Sequence, residues 1–110
     1  MKPEVEYDAF GALDFRVGVI EACEAVPKSK KLLCSKVRIG NEVKQIVSGI
    51  HMSYEPEDLV GKKVMVLMNL KPATLAGVVS EGMLICADDG NGGCVLMSPE
   101  KDVPDGEQIS

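Results

Sequence analysis

Short apolar runs, partly alternating with polar residues and separated by turns rich in glycine and proline, occupy most of this chain. In the first run Phe15, Val17 and Val19 share one side, and in the second run Lys36 and Arg38 share the polar side. Runs of this length with a period of two are typical of half-buried strands. Strands are predicted at residues 15–22, 33–39, 43–50, 63–70, 83–87 and 94–97.

Two short helices are predicted outside these runs. The first spans Tyr7–Leu13, with Asp8 as a candidate N-cap and its apolar residues three positions apart. In the second, Pro56 suits the first helical position, acidic residues follow in the first turn, and Gly61 ends the helix. One helix therefore precedes the strands, and the other lies between the third and fourth strands.

This order of elements predicts an all-β fold, a five-stranded Greek-key barrel of the oligonucleotide/oligosaccharide-binding type that carries the two helices. Gly18 is a candidate bulge or tight bend, which small barrels need in order to close. The 110 residues amount to one domain and contain no repeat or internal linker. We expect a single domain over residues 1–110, with the barrel core at about 14–98.

The amino-acid composition and the lengths of the apolar runs indicate the cellular compartment of the protein. Apolar residues make up 45% of the chain and charged residues 26%, as in folded globular proteins. The longest apolar runs, such as Val64–Met68, are far shorter than the roughly 20 residues that span a bilayer. Met1–Glu6 contains no apolar signal stretch. The sequence therefore predicts a cytoplasmic protein that does not contact a membrane.

The cysteines and the single histidine, His51, indicate neither a metal site nor an active site. Cys23, Cys34, Cys86 and Cys94 include no Cys-x-x-Cys pair, whereas a structural zinc site needs closely spaced ligands, so no metal or other cofactor is predicted. We expect four buried thiols; a Cys23–Cys34 disulfide across a hairpin is the alternative, although a reducing compartment would oppose it. No triad surrounds His51 and no acid–base cluster indicates an enzyme.

Charge is unevenly distributed along the chain. The net charge is −5, yet residues 28–71 carry nine Lys or Arg against four acids, and both flanking segments are acidic. A basic middle between acidic ends predicts one positive face on an acidic molecule, a typical feature of nucleic-acid-binding proteins. The alternative is that these lysines are simply solvated wherever they fall.

Three segments carry a family resemblance. They are Asp14–Ile20, Lys44–Ile50 and Leu59–Leu84, the last of which includes Asn69-Leu70-Lys71-Pro72 and Ser80-Glu81-Gly82-Met83. In this order they resemble the tRNA-binding domain at the C-terminus of many methionyl-tRNA synthetases. Free-standing dimeric tRNA-binding proteins and the endothelial-monocyte-activating polypeptide share this domain. The similarity extends from about Tyr7 to Ile109.

The resemblance implies a non-catalytic barrel that dimerises and binds tRNA by its shape. The family's tRNA-contacting positions correspond here to Lys31, Asn69, Lys71, Ser80 and Met83. We add the lysines Lys28, Lys30 and Lys44 as further candidates, because they keep or increase the positive charge. The loop Lys28–Lys31 carries extra lysines where relatives often have acids, and Lys44 replaces the usual arginine. Structural alternatives stay open. Lys31 would then be an ordinary exposed lysine, Asn69 would bond nearby backbone, and Ser80 and Met83 would flank a strand-entry turn.

The scarcity of aromatic residues refines the kind of RNA expected. The chain has only Tyr7, Phe10, Phe15 and Tyr54, and no tryptophan. A barrel that reads single strands usually stacks bases on exposed aromatic rings. This composition instead favours a folded RNA bound through its backbone and shape, with one or two bases meeting Met83 or Tyr54.

These observations favour a tRNA-binding module that belongs to a methionyl-tRNA synthetase as its C-terminal domain or a separate subunit. Its expected partners are tRNA, a second copy of the chain bound through the half from Leu70 onwards, and the synthetase's catalytic body. The alternatives are a free-standing structure-specific tRNA-binding protein and a dimeric chaperone-like module that binds polypeptides.

Overall fold

The computed structural model describes all 110 residues, most of which lie in or between short antiparallel strands. Two helices are present, α1 (Tyr7–Gly11) and α2 (Pro56–Leu59). The strands are β1 (Phe15–Ala25), β2 (Leu33–Ile39), β3 (Glu42–Ser48), β4 (Lys63–Leu67), β5 (Ala73–Leu75), β6 (Val78–Ser80), β7 (Met83–Leu84), β8 (Cys86–Asp88), β9 (Cys94–Leu96) and β10 (Gln108–Ile109).

The main sheet has the strand order β3-β2-β1-β4-β7, and β10 adds to β1. Strand β1 pairs along both edges, so that Val19 lies opposite Arg38 of β2 and Lys63 of β4. A break in register between Ile20 and Ala22 marks a β-bulge, which increases the local twist and lets this long strand serve both halves of the sheet. Strands β5–β6 and β8–β9 form separate hairpins.

Hydrogen bonds between β3 and the turn after β6 close the sheet. The Glu81 N–H donates to the Gln45 carbonyl at 2.7 Å, and the Gln45 N–H donates to Oε1 of Glu81 at 2.8 Å. Two residues further along β3, the Val47 N–H donates to Oγ of Ser80 at 2.9 Å. Because this seam joins β3 at one edge of the sheet to the segment that enters β7 at the other, the predicted all-β barrel architecture is confirmed.

The core fills the inside of the curled sheet. Its eleven buried residues are Ile20, Leu33, Val37, Ile39, Ile46, Ile50, Leu59, Val64, Val66, Leu84 and Leu96. Leu59 comes from α2, the helix predicted between the third and fourth strands. Gly18 also faces this core, and a Cβ there would stand 2.7 Å from Cγ1 of Val37. Gly18 thus permits close packing, and the bulge lies further along the strand, between Ile20 and Ala22.

Details at the chain's ends differ from the sequence-based expectations. Helix α1 ends at Gly11, and its N-cap is Glu6, whose carbonyl accepts a hydrogen bond from the Ala9 N–H. Asp8 is therefore inside the first turn, so the predicted N-cap was wrong. Beyond residue 98 the chain continues across the barrel, where Gly106 donates its N–H to the Val17 carbonyl at 2.7 Å.

Neither helix has the length or the apolar character needed to cross a lipid bilayer.

All four cysteines are free thiols. Cys23 lies opposite Ser35 and Cys34 lies opposite Glu24 in the β1–β2 ladder. Because neighbouring positions on a strand point to opposite faces, Cys23 and Cys34 project to different sides of the sheet. This arrangement excludes the Cys23–Cys34 disulfide.

Candidate nucleic-acid interface

The loop between β1 and β2 presents three lysines. Lys28, Lys30 and Lys31 are exposed, and none of them pairs with an acidic side chain. The backbone is anchored at Lys31, whose N–H donates to Oγ of Ser29 at 3.2 Å and whose carbonyl accepts from the His51 N–H at 3.1 Å. The loop therefore presents three positive charges that no acidic side chain neutralises.

Cations elsewhere on the barrel are partly neutralised. Arg16 pairs with Asp14 at 2.8 Å, Arg38 pairs with Glu21 at 2.6 Å, and Lys63 pairs with Asp102 at 2.7 Å. The hydrogen bond from Arg38 to Glu21 raises the pKa of that guanidinium. The β1–β2 loop holds three of the lysines that form no ion pair, close together in the chain. The other six are spread over the chain: Lys2, Lys36, Lys44, Lys62, Lys71 and Lys101.

A mainly apolar groove of about 420 Å³ is linked to this loop through the segment that precedes His51. Its wall includes the end of β3 through Ser48, Gly49 and Ile50, and Ile50 directly precedes the His51 that bonds the basic loop. Lys71 and Met83 form part of the same wall; Lys71 is exposed and Met83 is half-exposed. The structure thus places three of the predicted residues, Lys71, Ser80 and Met83, in one groove wall, and a backbone bond at Lys31 links the basic loop to the segment that follows Ile50.

Ser80, expected on the surface, lies in the barrel wall. Only 6% of its surface is exposed. Its Oγ accepts the Val47 N–H and donates to the Gly82 carbonyl at 3.1 Å. Both functions of the hydroxyl are used inside the protein, which is the turn-forming alternative raised by the sequence.

Asn69 and Lys44 also bond backbone groups. The Asn69 side chain donates from Nδ2 to the Ala12 carbonyl at 2.7 Å and accepts the Asp14 N–H at Oδ1, 2.9 Å away. It fastens the end of α1 to the barrel. The Lys44 ammonium donates to the carbonyls of Met68 and Glu81 at 3.3 and 3.4 Å, across the seam.

Comparison with known proteins identifies the family. Residues 15–108 match the profile of a family described as "Putative tRNA binding domain". The chain belongs to this family. Domains of the family are non-catalytic modules, and no groups in this barrel form a metal-binding cluster of three or more His, Cys, Asp or Glu residues.

Relatives of this tRNA-binding domain include much longer proteins. The methionine–tRNA ligase of Methanocaldococcus jannaschii is 48% identical over 106 residues, which cover 96% of this chain but 16% of the ligase. A solved methionyl-tRNA-synthetase-related protein from Pyrococcus horikoshii superposes with a TM-score of 0.92 at 36% identity, covering 99% of this chain and 100% of that one. The chaperone CsaA from Bacillus anthracis superposes at 0.89 with 28% identity, covering 98% and 100%.

Several groove residues escaped the sequence analysis. Ser48 and Gly49 lie in the segment Lys44–Ile50, which was used for the resemblance but not as a site. Cys86 and Cys94, expected as buried thiols, are half-buried and contribute to the groove wall. Burial and the neighbouring Cys94 raise the pKa of the Cys86 thiol to about 11, so that it stays neutral at physiological pH.

Proposed function

We propose that this chain binds folded tRNA through its sugar-phosphate backbone and overall shape, as the C-terminal domain or a separate subunit of a methionyl-tRNA synthetase. The observation that carries the proposal is the β1–β2 loop with three unpaired lysines, Lys28, Lys30 and Lys31, which is bonded at Lys31 to the segment that borders a groove edged by Lys71. Lysines contact phosphate oxygens and position a protein on RNA without reading its sequence. The family match and the ligase relatives support tRNA as the RNA.

The aromatic residues support binding by shape. Phe10 lies between Tyr7 and Phe15, with its ring centroid 6.2 Å from that of Tyr7 and 6.1 Å from that of Phe15, and none of the three rings lines the groove. Tyr54 packs against the core, and its hydroxyl accepts the Leu96 N–H at 3.1 Å. Tyr54, an earlier candidate for meeting a base, is therefore assigned a structural role. No exposed platform of aromatic rings lines the groove, as a general single-strand binder would need.

Such a module would act by tethering. When a weak tRNA-binding module is joined to a catalytic body, binding of tRNA to the module makes its binding to the catalytic body intramolecular. The effective concentration of tRNA at the catalytic body then rises. The chain spans about one-sixth of the ligases that it matches, so the catalytic body is an expected partner and not part of the domain. A free-standing tRNA-binding protein would use the same surface.

We infer that the module also forms a homodimer through the β5–β6 hairpin and the adjoining Leu70. Leu70, Leu75 and Val79 are all large apolar residues left exposed in the single chain. Strand β6 of the hairpin packs against β3, where Oγ of Ser80 accepts the Val47 N–H. Leu75 lies opposite Val78 and Val79 lies opposite Thr74, so Leu75 and Val79 project from opposite faces of the hairpin. Leu70 and Leu75 both line the groove. Exposed apolar side chains that share one surface are a typical feature of protein–protein contacts, and a second copy is the partner that the family resemblance favours.

The test of tRNA binding is a fluorescence-anisotropy titration at two salt concentrations, with folded tRNA and an unstructured RNA of equal length. We expect tighter binding to tRNA, weakening as salt rises because counterions are released from phosphates. Equal affinity for the two RNAs would contradict recognition by shape. Absence of binding to either RNA would contradict the proposed function.

A chaperone-like, polypeptide-binding module is the second candidate. It is favoured by the apolar groove and by the structural similarity to the protein named chaperone CsaA. The same titration with a labelled unfolded polypeptide separates the two candidates. Polypeptide binding without tRNA binding would favour this reading, whereas the unpaired lysines favour tRNA.

A further inference from the structure

Ser29 lies in the middle of the basic loop and belongs to two consecutive turns. Its N–H donates to the Val26 carbonyl at 3.1 Å, which closes a turn that has Pro27 at its second position. Proline favours that position, because its ring presets φ. The Ser29 hydroxyl oxygen then accepts the Lys31 N–H at 3.2 Å, which closes a second, smaller turn around Lys30. One serine thus closes the turn on each side of it.

The two ends of the loop are held without the Ser29 hydroxyl. The Val26 N–H donates to the Leu32 carbonyl at 3.2 Å, next to the last pair of the β1–β2 ladder. Both residues also belong to a small second core, which consists of Val26, Cys34 and Val47 with Leu32 and Val78 packed against them. Loss of the Ser29 hydroxyl should therefore leave the base of the loop in place and loosen only the residues at its tip.

Repulsion among the three lysines opposes a compact loop. Lys28, Lys30 and Lys31 fall within one run of four residues, are exposed and form no ion pair, whereas Ser29 between them is half-buried. Segments that carry charges of one sign repel themselves and extend. Binding to RNA would then have to order the loop, at a cost in conformational entropy. Turns that are already closed in the free protein lower this cost.

We propose that Ser29 is a positioning residue of the RNA interface, whose hydroxyl keeps the backbone of Lys30 and Lys31 in one conformation before tRNA binds. Ser29 acts through these lysines and contributes no charge of its own. Its effect on tRNA affinity should therefore be the same at every salt concentration. This inference rests on the proposed tRNA binding and assigns the ordering of that site to one side chain.

The first test measures tRNA affinity at four salt concentrations for the full chain and three variants. Ser29→Ala removes the hydroxyl, and Ser29→Thr keeps one at the same position. Ser98→Ala is the control, because Ser98 is an exposed serine outside the loop. We expect about twofold to tenfold weaker binding for Ser29→Ala, from the value of one hydrogen bond. Ser29→Thr and Ser98→Ala should bind tRNA as the wild type does.

The salt dependence separates positioning from direct contact with phosphate. The plot of log affinity against log salt for Ser29→Ala should run parallel to that of the wild type, because all three lysines remain. Lys31→Ala, in contrast, removes a cation and should make the plot shallower.

The second test is a double-mutant cycle that combines Ser29→Ala with Lys31→Ala. Residues that act through one another show non-additive effects. Ser29→Ala should therefore weaken tRNA binding less in the Lys31→Ala background than in the wild type. A role in the stability of the whole fold would give the same loss in both backgrounds.

Amide hydrogen exchange of the free protein gives a readout that needs no RNA. The Lys31 N–H should exchange faster in Ser29→Ala than in the wild type or Ser29→Thr, whereas the Val26 N–H at the base of the loop should keep its rate. Wild-type tRNA affinity in Ser29→Ala, or equal losses in the two backgrounds, would overturn the positioning role alone. Failure of the wild-type chain to bind tRNA would overturn the proposed function as well.

Discussion

Single side chains at the interface fall into two groups, according to whether their polar atoms are already bonded. Lys31 is exposed, and only its backbone is bonded within the protein. Ser80 and Asn69 use their side chains to hold the barrel seam and the end of α1. Substitutions in the first group should therefore change RNA binding, and those in the second should change stability.

Lys31→Ala should weaken tRNA binding and leave the melting temperature unchanged. The plot of log affinity against log salt should become shallower by about one unit, the effect of one lost phosphate contact. Binding isotherms at four salt concentrations measure this slope. Lys101→Ala is the control, since Lys101 is also exposed and lies away from the basic loop. An unchanged slope for Lys31→Ala would remove Lys31 from the interface.

Ser80→Ala should lower the free energy of unfolding by about 1–3 kcal/mol, because the Val47 N–H in the seam loses its partner. Urea denaturation measures the change, with the exposed Ser98→Ala as a control that should unfold like the wild type. Normal stability combined with weaker tRNA binding would instead make Ser80 a contact residue.

At the scale of elements, β1 shapes the barrel by pairing on both edges and by packing closely at Gly18. Gly18→Ala should destabilise the fold by about 1–3 kcal/mol, since a Cβ 2.7 Å from Cγ1 of Val37 overpacks the core. Gly11→Ala is the matched control, because nothing lies within 4 Å of a Cβ built there. Thermal melts of the two variants test the difference. If Gly18→Ala were as stable as Gly11→Ala, the core would accommodate the added methyl group without loss of stability, which would contradict the prediction.

Elements whose sequence shows a clear period were predictable. Strand β2 occurs at Leu33–Ile39, where the alternating run placed it. The β5–β6 hairpin was missed because its residues are mostly exposed and its turn is unusual. Ala76 and Gly77 both have positive φ values, 48° and 82°, in a position where asparagine-glycine is the common signal. The local sequence therefore did not indicate the tight turn.

Local sequence patterns also identified only part of the candidate nucleic-acid interface. The basic loop could be found from its run of lysines and from the family resemblance. Ser80 and Lys44 were predicted at the RNA surface, and that prediction stands. Their hydrogen bonds were not predicted, because they join residues 24 to 37 positions apart that only the closed barrel brings together. The bond from the Lys31 N–H to Oγ of Ser29 could not be predicted, because a loop serine can bond any of several nearby backbone groups.

At the scale of the whole molecule, the proposed dimer makes the last prediction. Two copies joined through the β5–β6 hairpins would carry two basic loops, and tRNA binding by two linked sites gains effective concentration. Size-exclusion chromatography with light scattering at micromolar concentration should give twice the 11.8 kDa chain mass.

Leu75→Glu should shift the protein towards the monomer, because it places a charge in the apolar interface. The melting temperature of the monomer should change little, since Leu75 lies in β5, all three residues of which are exposed within one chain. Val60→Glu, at an exposed valine outside the hairpin, is the control and should stay dimeric. A wild-type mass of 11.8 kDa would contradict the dimer. A dimer that persists in Leu75→Glu would place the contact elsewhere, and the exposed Tyr7 and Phe10 of α1 would be the next surface to alter.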